Sequence, residues 1–166
     1  MRFGIAVLRA LIGCLFVGHG LQKLTGSFGG DGLEATGQAF EGMGLRPGKA
    51  QAAAAGAAEA GGGALLVVGL LTPVASAAVT GAMAMAIHKV HAGKGPWATQ
   101  GGWEYNAVVV ASVFAITAAG PGALSVDEGF GTDRSGLGTA FASTAAGLGG
   151  AALARLLSDR QPEPQA

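Results

Sequence analysis

The sequence predicts an all-α membrane protein. Its architecture is an up-down four-helix bundle, with an interfacial amphipathic segment between helices 1 and 2 and a weakly helical C-terminal tail. Three observations predict it. Four stretches are apolar enough to enter a hydrocarbon core, which takes roughly 20 residues of helix per crossing. Charged residues make up 12% of the 166, against about 25% in an ordinary soluble domain, and mean hydropathy is +0.46. Only Leu71-Thr72-Pro73 separates the second stretch from the third, so those two helices must be antiparallel neighbours.

The first stretch runs from about Gly4 to Leu24. Met1-Arg2 followed by an apolar run has the look of a signal peptide. The run is too long for one and ends in His19, Gln22 and Lys23 with no small-x-small cleavage site, so it reads as a retained helix. Thr25-Gly26-Ser27 stops it. Phe28 to Lys49 is too polar to span. Asp31-Gly-Leu-Glu34 has the spacing of a capping box, and Leu33, Phe40, Met43 and Leu45 keep a loose helical period. This segment reads as a short helix lying at the interface, or as a re-entrant piece covered by protein.

The second stretch, about Ala50 to Leu71, is rich in Ala at its start and in Leu and Val at its end. Pro73 opens the third, where a missing N–H costs nothing, and the third ends near Ala92-Gly93. Trp97, Trp103 and Tyr105 fall where an aromatic belt belongs. The fourth stretch opens at Trp103-Glu104-Tyr105 and ends by Gly120-Pro121-Gly122, a strong breaker. Ser125-Val-Asp-Glu128 is a polar stop. A membrane domain of residues 1–128 is thus followed by an Ala/Gly-rich tail, 129–166. Gly136 to Leu157 lacks bulky residues to hold it in lipid, which favours a docked or mobile segment over a fifth span. Ser158 to Ala166 reads as disorder. Four spans put both termini on one face, assigned to the cytoplasm.

Formal charge is zero and no basic face invites nucleic acid. Cys14 is the only cysteine; it reads as a small packing residue, and there is no intrachain disulfide. Glycine occurs 31 times, and Gly56, Gly61, Gly62, Gly63, Gly69 and Gly81 suit close helix approach in lipid. No nucleotide loop, nucleophile elbow or dinucleotide fingerprint is present.

Each span carries ionisable groups that lipid rejects unless they are compensated. An up-down bundle gathers His19, Lys23, His88, His91 and Glu104 at one membrane face. Glu59 lies roughly 13 Å below that face and Arg9 deeper. Arg9, His19 and Lys23 share an arc of roughly 80° on their helix, and His88 and His91, three apart, share a face. Arg9 and Glu59 are expected to pair in the interior, either as a structural clamp or as a ligand-binding or proton-handling site. His19 reads equally as a carbonyl-bonded interior histidine or as a proton exchanger. Lys23, Lys89 and Lys94 read as snorkelling anchors. Histidines and carboxylates are available, but without tight ligand spacing they predict no metal site.

Several of these residues, taken in order, resemble the DoxX family. Arg9-Ala-Leu-Ile-Gly13 and Phe16-Val-Gly-His19-Gly20-Leu-Gln-Lys23-Leu24 are similar to that family's first helix. Phe28-Gly-Gly-Asp-Gly32-Leu, Phe40-Glu-Gly-Met-Gly-Leu45, Glu59, Leu71-Thr72-Pro73 and the stretch around His91 resemble the family's next segments. So do Gly101-Gly102-Trp103-Glu104-Tyr105 and Gly120-Pro121-Gly122-Ala-Leu-Ser125-Val-Asp127. Asn106 departs from a family proline, and the tail after Gly129 lies outside the pattern.

The resemblance implies a four-helix protein of the bacterial inner membrane, linked to quinone or oxidative-stress chemistry and partnered by a soluble oxidoreductase or thiol enzyme. On this reading the chain is a subunit of a redox complex and not an enzyme alone. A quinone is its implied ligand, with Arg9, His19, Glu59, His91, Glu104 and Tyr105 as candidate binding or proton-handling residues. The competing reading is a non-enzymatic scaffold, or a carrier of protons or small solutes, that recruits a soluble partner.

Overall fold

The computed structural model describes residues 2–161, and among them every regular element is helical. In chain order they are α1 (Arg2–Thr25), α2 (Gly32–Gly42), α3 (Gly48–Val68), α4 (Thr72–Ala86), α5 (Glu104–Ala119), α6 (Val126–Gly129) and α7 (Leu137–Asp159). A single π-helical turn, Ile87–His91, prolongs α4. Of the segment expected to be disordered, Ser158 and Asp159 instead close α7, and residues 162–166 lie outside the described residues.

The bundle has five long helices where the sequence predicted four. α1, α3 and α7 are each long and apolar enough to cross a membrane. α4 and α5, at 15 and 16 residues, are shorter than a full crossing, and the π turn completes α4. α7 takes the expected weakly helical tail further: the segment read as docked or mobile is one continuous helix packed on α4 and α5. Its small residues are a packing face: Gly147 lies against α4, where a Cβ would come within 2.5 Å of Ala77 O. Its bulky residues, Phe141, Leu148, Leu153 and Leu156, point outward and remain exposed. The anchoring residues are present, then, but on the opposite stripe. Phe141 also meets Phe114 of α5 edge-on at 5.1 Å.

This fifth helix also departs from the expectation of both termini on one face: among the described residues, Arg2 and Ser158 lie at opposite ends of the bundle. Near Arg2, the Ala123 N–H donates to the Arg2 carbonyl. At the other end of the bundle, Ser158 Oγ donates to Gly44 O at 3.0 Å and accepts from the Arg46 N–H. The closing end of the bundle therefore holds Arg2, the α3–α4 turn and the α5–α6 loop. The opposite end holds α2, the π turn, the loop before α5 and the end of α7.

α1 and α3 pack antiparallel through glycines one heptad apart on each helix. A Cβ on Gly13 would stand 2.6 Å from Gly63 O, and one on Gly20 would stand 2.4 Å from Ala60 N and 2.6 Å from Gly56 O. Backbones this close leave room only for hydrogen at those positions. Cys14, beside the seam, faces away and is exposed, so it is not a packing residue.

α2 packs on α3 and α1, as a short helix covering the polar end. The expected capping box does not form. Asp31 already has helical φ/ψ and makes no side-chain cap bond, whereas a capping residue needs extended backbone. Glu34 turns instead to Lys49, 2.5 Å away.

The glycine seam makes a direct prediction. Gly20→Leu must push backbone apart, and overpacking of this kind costs about 1–3 kcal/mol or more. The variant should melt well below the parent protein in detergent, whereas Gly18→Leu, at a site with nothing within 4 Å, should not.

Candidate functional site

The predicted Arg9–Glu59 pair does not form. The glycine register puts Arg9 opposite the C-terminal turn of α3, seven residues beyond Glu59, so roughly 10 Å along the axis at 1.5 Å per residue. That gap, underestimated from sequence, separates the buried charges into two sites.

At the closing end, Arg9 is 2% exposed and bonds only to backbone carbonyls. Nε donates to Pro121 O at 2.9 Å. Nη1 donates to Leu66 O and to Val67 O, the latter at 2.8 Å. Nη2 donates to Leu124 O at 3.2 Å and Ala123 O at 3.5 Å. A guanidinium has five N–H donors, and all five are engaged. The cation also sits on the carbonyl end of α3, where the helix dipole favours it. Gly69 makes room, since a Cβ there would lie 2.6 Å from Nη1.

Asp127 mirrors this arrangement at the next helix start. It is buried and accepts from Leu71 N at 2.9 Å, Thr72 N at 3.0 Å and Thr72 Oγ1 at 2.9 Å, with Thr132 Oγ1 at 3.4 Å. It therefore caps the positive end of α4, which has no acidic residue of its own in the first turn. Sequence reasoning took Asp127 for part of a polar stop. The clue was an uncapped helix behind Leu71-Thr72-Pro73, in need of a carboxylate from elsewhere.

At the opposite end, Glu59 of α3 meets Lys23 of α1, with Nζ 2.6 Å from Oε2. Lys23 Nζ also donates to His19 O at 3.4 Å. Lys23 is thus no snorkelling anchor. Side chains on a helix lean toward its N-terminus, and from the last turn of α1 that direction leads back into the bundle. His19 Nδ1 donates to Gln22 Oε1 at 3.1 Å, and its ring stands edge-on to Phe16 at 6.0 Å.

His19, Lys23 and Glu59 wall a chamber of about 310 Å³ that His91, Lys89, Tyr105 and Asn106 also line. The π turn separates the two histidines expected to share a face. His91 turns inward, its Nδ1 donating to Gly101 O at 2.6 Å, while His88 is exposed and faces a hollow beside α7. Lys89, also expected at the surface as an anchor, lines the chamber and donates to Met43 O at 3.2 Å. Lys94 is exposed. Glu104 stays in the first turn of α5 and is absent from the chamber wall. Asn106, buried and donating to Met83 Sδ at 3.3 Å, was noticed in the sequence only as a departure from family proline.

The structure thus brings His19, Glu59, His91 and Tyr105 around one cavity, adds Lys23, Lys89 and Asn106, and places Arg9 at the far end. Among the described residues no three His, Cys, Asp or Glu side chains group closely enough to hold a metal ion.

A family model described as DoxX matches residues 4–92, more than half of the chain. The chain belongs to the DoxX family. The matched segment runs from α1 through the π turn, so it contains the glycine seam, Arg9, the Lys23–Glu59 pair and His91. The motifs from Gly101 to Asp127 lie beyond it. No curated protein and no solved structure matches the chain. As a DoxX protein with several long apolar helices, it is a multi-pass membrane protein.

The charges make two predictions. Burial favours the neutral acid of Asp127. The bonds from Thr72 N, Leu71 N and the hydroxyls of Thr72 and Thr132 outweigh it and hold the carboxyl below its ordinary value. A lowered folded pKa stabilises fully above the unfolded value, about 3.9, and that stability is lost as pH falls through the folded one. Thermal melts taken from neutral pH into acid should show the parent losing more stability than Asp127→Asn, which has no such charge to lose. At the other site, Lys23→Met strands a buried carboxylate and should cost about 3–5 kcal/mol. Lys23→Met with Glu59→Leu should recover most of it in the same melts.

Proposed function

We propose that this DoxX protein is the membrane subunit of a redox-linked complex and that its chamber holds a small lipophilic ligand, a quinone, by the oxygen-bearing end. One observation carries the reading. Among the residues lining the chamber, two lysines face one carboxylate, and their donors are only partly used. Lys23 Nζ reaches His19 O and Glu59, and Lys89 Nζ reaches Met43 O. An ammonium has three donors and no acceptor, so the spare capacity points at an acceptor such as a quinone carbonyl. Tyr105 and Asn106 add hydrogen-bonding groups at the wall, and methionines 43, 83 and 85 supply apolar surface. Few polar groups in an apolar cavity is the usual make-up of a ligand site.

The residues fit such a ligand in two ways. Lys23 and Lys89 orient its oxygens and favour negative charge there. Glu59, held against Lys23, is placed to take up or release a proton, and His91, bonded through Nδ1, has Nε2 for the same use. The chain has no flavin motif and no thiol pair, so electrons would come from a soluble oxidoreductase or thiol partner. The family likeness favours a bacterial inner membrane as the setting. A scaffold role is the competing reading, and the fully engaged Arg9 and Asp127 are the features that suit it.

The test uses purified protein in mild detergent. Quinones should raise its melting temperature and quench Trp97 and Trp103 fluorescence, and Glu59→Gln, checked for folding by its own melt, should abolish both effects. If no quinone shifts either signal, the ligand reading fails. If the Lys23→Met, Glu59→Leu protein folds and keeps its cellular role, the scaffold reading stands instead.

A further inference from the structure

A second cavity adjoins the chamber and has the opposite chemistry. It measures about 390 Å³, and Gln51 is the one polar side chain among the described residues that line it. α4 forms its floor with Ala77, Ala78, Gly81 and Ala82, while α3 and α7 form its sides. Both of those helices pack on α4, and they meet at one end, where Gln51 Nε2 donates to Ala154 O at 3.4 Å. Small side chains along the floor make a trough where Leu or Val would make a filled interface. The trough extends along α4 from Met85 to Val74, roughly 16 Å at 1.5 Å per residue, or about half of a hydrocarbon core. Exposed Ala54 and Val74 on its rim open it toward lipid.

The trough and the chamber share Phe40, Leu45, Ala55, Ala82 and Met85 as walls. A long apolar trough that ends at a compact polar chamber matches one molecular shape: a polar ring or headgroup on a linear hydrocarbon tail. We propose that the ligand is such an amphiphile. Its polar end sits among Lys23, Glu59 and Lys89, its tail lies in the α3–α4–α7 trough, and it enters sideways from the bilayer past Met85. Met85 is unbranched and can change shape as the tail passes. This inference rests on the ligand reading of the chamber and adds to it the tail, its location and its route. It also gives α7 a part in binding, although that helix lies outside the segment matched to the family.

The experiment compares two probes, a tailless benzoquinone and the same ring carrying a decyl chain, each titrated into detergent-solubilised parent protein and into Ala58→Leu/Ala151→Leu. Both substitutions fill the trough and leave the chamber's polar groups in place. Partitioning of the decyl probe into micelles is the same for both proteins and cancels. The parent should bind the decyl probe at least tenfold more tightly than the tailless ring. The variant should lose most of that preference while its affinity for the tailless ring is unchanged. If the double variant does not fold by thermal melt, Ala151→Leu alone carries the comparison. A decyl preference of equal size in parent and variant overturns the trough as the tail site and leaves the chamber reading intact. Failure of both probes to bind the parent overturns the chamber reading, and this inference with it.

Discussion

The close approach of α1 and α3 sets which partners Arg9, Lys23 and Glu59 can reach. Gly13 against Gly63 and Gly20 against Gly56 lock the two helices in a single antiparallel register, because a side chain at Gly13, Gly20 or Gly63 would overlap backbone and one at Gly56 would overlap Leu24. Lipid supplies no hydrophobic drive between helices, so contact at this range is what holds them. That register dictates the rest. Arg9 reaches the last carbonyls of α3, and Lys23, leaning back along its own helix, reaches Glu59. A slip of one residue would rotate both cations out of reach of their partners.

The two ends of the bundle solve the same problem differently. At the closing end, charge is neutralised by helix termini. A cation sits on the carbonyls of α3 and a carboxylate on the amides of α4, on either side of the Leu71 turn. Helix ends otherwise leave four carbonyls or four amides without intrahelical partners, so each charge compensates the backbone while the backbone compensates the charge. At the chamber end, charge is neutralised by charge, and the partners are flexible side chains. The first arrangement uses every donor of Arg9 and fixes a turn. The second leaves donors over and encloses a space.

What the sequence made legible was whatever depends on local pattern: the helices, the breakers, the side on which His19, Lys23 and His91 gather. Register between helices is not local. Arg9 and Glu59 were expected to pair because both are deep and opposite in sign; Gly56 and Gly63 were legible as close-packing residues, but not which glycines of α1 they would meet. The length and packing of the C-terminal helix, expected only as a weakly helical tail, were missed for a related reason. Its Ala and Gly were judged as lipid-facing surface, where they are weak, instead of as a face for Ala77 and Gly81, where they are what close packing needs. The π turn, which sends His91 inward and leaves His88 outside, has no sequence signal that a helical wheel can show.

The division of hydrogen-bonding capacity argues for where chemistry belongs in this fold. A buried group whose donors are all satisfied has nothing to offer a ligand without first losing what it holds. Moving Arg9 would free five carbonyls at once. Lys23 and Lys89 can each take a new acceptor without giving up an existing one, and they stand around a cavity rather than within packed backbone. The spare donors of Lys23 and Lys89 lie at the chamber, next to the apolar trough and at the end opposite to Arg9 and Asp127. On the proposed ligand reading, entry and exit at the chamber would leave the α3–α4 turn closed.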